Sequence, residues 1–89
     1  TITEASAEGI IVRGIQMGVP QFNHGNHSAC ADIYEISLRS LLMLPDAKLS
    51  EANRNLVSKS LLRLSEMNSS TEKAWEARST FDKLMLSKL

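Results

Sequence analysis

The run Phe22-Asn23-His24-Gly25-Asn26-His27 constrains this chain more than any other stretch. A glycine just past an apolar-periodic segment closes a helix, because it enters the left-handed conformation without a Cβ clash. Beyond it, residues 30, 33, 34, 37, 38, 41 and 42 recur at helical spacing and supply an apolar stripe. The polypeptide is therefore expected to reverse at Gly25, laying Tyr34 and Cys30 back across Ile15 and Phe22. A chain that turns in this way builds helical hairpins.

The whole chain reads as all-α: four antiparallel helices forming two stacked helical hairpins in one domain, residues 1–89. The first helix is expected over about 4–17, with Thr1 or Thr3 as N-cap and Thr1-x-x-Glu4 at capping-box spacing. Its core line is Ala7, Ile11, Gly14, Ile15, Gly18 and Phe22. Ile10, Val12 and Met17 lie off that line, which points to a second buried contact on this helix. Pro20 removes a backbone donor, so a kink or break is expected near Gly18-Val19. The second helix covers about 27–43, with Asn26 as N-cap, and stops before Pro45. Ser50 caps the third, about 51–67, with Leu49, Ala52, Leu56, Val57, Leu61 and Leu64 facing inward. Ser69-x-x-Glu72 is a capping box before the fourth, about 70–88, whose inner stripe is Ala74, Ala77, Phe81, Leu84 and Met85. Arg78 and Asp82, one turn apart, are placed to pair. Such short connections make neighbouring helices antiparallel.

Composition narrows the functions. Phe22, Tyr34, Trp75 and Phe81 are the only aromatics, so the core must be mainly aliphatic. Ten acids balance ten bases. Residues 1–45 hold four acids and two bases, and residues 46–89 six acids and eight bases. That swing is too small for a phosphate-binding footprint, so no nucleic-acid partner is expected. One cysteine, Cys30, excludes an internal disulfide. No apolar run approaches a membrane span. The chain opens on Thr1 rather than Met, as a processed or trimmed product would, and the compartment stays open.

The first hairpin resembles a tetratricopeptide repeat over about residues 10–42. Gly18 fits the family's first small position, Phe22 its aromatic and Gly25-Asn26 its turn. Cys30 stands at the small position of the second helix, Tyr34 at the aromatic and Ser37-Leu38 at the closing small-apolar pair. Gly14 departs from the pattern where a large residue is usual, as do Pro20 and the late Pro45, and the second hairpin has no glycine. The resemblance implies helical-hairpin packing and a protein-binding role. It carries over no catalytic residues.

Both histidines fall in the turn. His24, His27 and Cys30 include suitable ligands for zinc or copper, although their spacing matches no established structural zinc pattern. Cys30 also lies on the buried stripe, where a thiol packs as a small apolar group. A nucleophilic Cys30 with a histidine base would lack nameable oxyanion donors, so no enzyme activity and no cofactor are expected. Asn23, His24, Asn26 and His27 are candidate binding residues at the second helix's N-terminus. Trp75 sits at the edge of the fourth helix's stripe, and Ile10, Val12, Met17 and Trp75 are the candidate interface. The expected function is a non-catalytic helical module that binds another protein or self-associates. The alternative is a small metal- or ligand-binding protein using the His24–His27 turn.

Overall fold

In the structure, a computed structural model that describes residues 6–87, the chain forms α1 (Ala7–Asn23), α2 (His27–Leu42), α3 (Glu51–Glu66) and α4 (Ser70–Leu86). No strand occurs among the described residues. Three helices start on a serine whose hydroxyl accepts an amide three residues on. Ser6 takes Gly9 N–H at 3.0 Å, Ser50 takes Asn53 N–H at 3.2 Å and Ser69 takes Glu72 N–H at 3.3 Å. Each such cap stabilises its helix by about 1 kcal/mol. The Thr1 and Thr3 caps and the Thr1-x-x-Glu4 box lie outside the described residues.

The reversal occurs where the sequence places it. Gly25 has φ +86°. Its amide donates to the Phe22 carbonyl at 3.0 Å, and the Asn26 amide donates to the Gln21 carbonyl at 2.8 Å. Those two bonds make a Schellman motif, which satisfies carbonyls that α1 would otherwise leave unpaired. Pro20 does not break the helix as expected: α1 runs through it to Asn23. Both Pro20 and Gln16, whose carbonyl the proline leaves without a donor, are exposed, so water can serve that carbonyl. Phe22, in the last turn, packs against His27 and Trp75.

α2 occupies the middle and touches each of the other three helices. α4 packs against α2 and α3 but meets α1 only slightly, and α1 and α3 do not touch. The cross-section is thus a diamond with α2 and α4 on its short diagonal. Its thinnest dimension is 20 Å, about two helix diameters. Ile11, Leu38, Leu41, Leu49, Val57, Phe81 and Leu84 are fully buried along the shared core. α1 lies close on α2 because Gly14 and Gly18 lack side chains there. A Cβ on Gly14 would strike the Ser37 side chain, and one on Gly18 the Tyr34 ring.

Two expected core positions are corrected. Ala52 and Met85 are exposed, while Asn53 is buried and accepts a hydrogen bond from Ser87 Oγ at 3.2 Å. The α3–α4 seam is also more polar than its stripes suggest. Buried Thr80 donates to buried Ser60 at 2.8 Å, and Arg63 Nη2 meets Glu76 Oε2 at 2.9 Å beside them. At the other hairpin junction Arg54 donates to the Leu42 and Leu44 carbonyls, each at 2.9 Å. Its guanidinium thereby caps the negative end of α2.

Candidate functional site

The last turn of α1 and the first two turns of α2 and α4 converge at one end of the molecule. Phe22 stacks on His27 with ring centroids 4.0 Å apart, and Trp75 stands edge-on to Phe22 at 5.7 Å. His27 Nδ1 shares a 2.8 Å hydrogen bond with Thr71 Oγ1, tying the start of α2 to the start of α4. Because α1 and α4 are both spread on α2, they leave a cleft of about 180 Å³ between them. Phe22 and Val19 form its α1 wall, and Trp75 and Ala74 its α4 wall. Cys30 and Tyr34 of α2 make the floor.

The floor is buried. The Tyr34 ring is fixed edge-on against Phe81 at 5.3 Å. Burial pushes the Cys30 thiol pKa up, with the neighbouring Tyr34 hydroxyl and the Arg78 charge offsetting part of the rise. Burial, and then the hydrogen bond with Cys30, push the Tyr34 pKa up as well. A thiol held protonated under packed rings is a poor nucleophile and a poor metal ligand. Among the described residues Arg78 is the only charged side chain on the lining, and its Nε lies 3.4 Å from Asp82 Oδ1. The large aromatic rings of Phe22 and Trp75 stand over small Cys30, so the cleft is a socket between helices.

The turn residues singled out from sequence are dispersed. Asn23 reaches the cleft rim. His24 is exposed, and its Nδ1–H donates to the Pro20 carbonyl at 2.8 Å. Asn26 occupies the N-cap position of α2 without a side-chain cap bond; its Nδ2 donates instead to Gln21 Oε1 at 3.1 Å. His27 is held between Phe22 and Thr71, and Cys30 is buried in the floor. The candidate metal set His24, His27 and Cys30 is therefore not assembled. Among the described residues no group of three or more His, Cys, Asp or Glu is placed to hold a metal ion.

The candidate interface residues also divide. Trp75, expected at the edge of the core, is 61% exposed on the cleft lip. Met17 and Val12 are exposed as well, but Ile10 packs partly buried against the core. Five residues at about 100° each put Met17 about 140° around the helix from Val12, so the three never formed one face. Val12 instead lies two turns from Val19, on the cleft side of α1. The place of Arg78 on the cleft lining was not foreseen from the sequence, although its spacing from Ala74 and Trp75 puts all three on neighbouring turns of one face. No helix among the described residues is long and apolar enough to cross a membrane. Compared with protein-family models, with curated proteins and with solved structures, the chain finds no match.

Proposed function

We propose that this chain is a non-catalytic helical module that binds another protein or a second copy of itself through the α1–α4 cleft and its lip. The observation that carries this reading is Trp75. The largest side chain of α4 stands mostly in solvent, beside an open apolar socket, where a folded core would ordinarily have drawn it in. Tryptophan, tyrosine and arginine are the residues most enriched where interfaces concentrate their energy, and all three line this cleft. The tetratricopeptide-like pattern over residues 10–42 supports the same kind of role, since it supplies Phe22, Cys30 and Tyr34 to the socket.

Sedimentation velocity and urea unfolding of Trp75→Ala test the reading together. An anchor held in reserve for a partner should be removable at a stability cost of about 0.5 kcal/mol or less. Any concentration-dependent association of the chain should weaken in that variant. A loss of about 3–5 kcal/mol, as for a buried tryptophan, would make Trp75 a structural residue and end the proposal.

A further inference from the structure

The geometry points to the occupant: a partner segment with one bulky apolar side chain beside a carboxylate, the side chain entering the α1–α4 cleft and the carboxylate meeting Arg78. This deepens the interaction reading above and rests on it. Size comes first. A cleft of about 180 Å³ is below the roughly 300–1,000 Å³ of small-molecule sites, so it suits one side chain and is too short for a cofactor or a long acyl chain. Its walls, Phe22, Tyr34 and Trp75, are aromatic and uncharged, which favours an apolar group.

Charge comes second. Arg78 is the single charge among the described residues of the lining, so complementarity calls for an anion next to the apolar group. Its contact with Asp82 engages Nε at 3.4 Å, and both side chains are solvent-accessible, at 37% and 63%. A one-turn surface pair of this kind holds its partners only weakly. The guanidinium also hydrogen-bonds the Tyr34 hydroxyl, and with five N–H donors in a planar fork it has more than these two contacts use, enough to meet a carboxylate as well. A second copy of the chain is a weaker fit. It would have to push a surface side chain of one copy into the cleft of the next, a head-to-tail contact that need not close.

Trp75 is the only tryptophan, so its emission reports the cleft directly. Acetylated, amidated tetrapeptides with Leu-Glu, Leu-Gln or Gly-Glu between two glycines are titrated into the full chain. The Leu-Glu peptide should shift Trp75 emission and bind about tenfold more tightly than either of the others, the low end for a hydrogen bond to a charged group. Arg78→Gln should melt like the parent, keep the preference for Leu and lose the preference for Glu. Equal binding of Leu-Glu and Leu-Gln overturns the carboxylate assignment while leaving an apolar docking site. If no peptide moves the emission, the proposed occupant is wrong. The Trp75→Ala stability and sedimentation results then decide separately whether the interaction reading survives.

Discussion

At the scale of single residues, two glycines do different work. Gly25 supplies a positive φ of 86° and has open space where a side chain would project. Gly18 is an ordinary helical residue whose missing Cβ lets the Tyr34 ring lie against the α1 backbone. Intrinsic propensity favours alanine over glycine by about 1 kcal/mol in a helix. Overpacking against a buried ring costs about 1–3 kcal/mol, so the steric term should win. Gly18→Ala is expected to lower stability by about 1 kcal/mol and the melting temperature by about 4–8 °C, measured by circular dichroism. A rise in melting temperature would mean that propensity dominates and the helices do not approach so closely. That Gly14 and Gly18 lie on the inward line of α1 was legible from helical spacing, but the Ser37 and Tyr34 side chains that fill the space over them were not.

At the scale of elements, α3 and α4 are joined by a polar seam that periodicity could not reveal. Ser60 and Thr80 occupy core positions of their helices, and Glu76 reaches both as well as Arg63. The Arg63 hydrogen bond holds the Glu76 carboxyl below the usual carboxylate range, against the opposing effect of its partial burial. A depressed folded-state value means the stabilisation is complete above the unfolded value of roughly pH 4.3. It is lost as pH falls through the folded value. Glu76→Gln should be less stable by about 0.5–1 kcal/mol at neutral pH, because it removes the anion from Arg63, whose 42% exposed side chain water can partly serve instead. Urea unfolding of parent and variant should converge as the solution is acidified; a gap independent of pH would remove Glu76 ionisation from the seam. The capping serines of these same helices were readable, because a cap is a contact over three residues. The seam joins residues 13 to 20 apart.

At the scale of the whole molecule, the diamond arrangement distributes stability unevenly. α2 is enclosed by three neighbours, whereas α1 depends on α2 almost alone. Helices with fewer buried contacts open locally at lower free energy than the global transition. α3, by contrast, packs most thinly on its two neighbours, so its amides should exchange with solvent faster than those of α2. Equal protection of both would show that the molecule opens only as a unit. The slight contact between α1 and α4 leaves the gap that becomes the cleft.

What the sequence determined alone was local: the reversal at Gly25, the serine caps at Ser50 and Ser69, and the inward lines through Ile11, Leu38, Val57 and Phe81. Backbone conformation and helical period act over a few residues, so composition and spacing carry them. Only the tertiary structure decided that Trp75 faces solvent, that Pro20 stays inside α1 and that Arg78 borders a socket. Each of those outcomes depends on which helix lies across from which. That choice is made by packing α2 against α4 across the two hairpins, and no periodic signal within one helix encodes its neighbour.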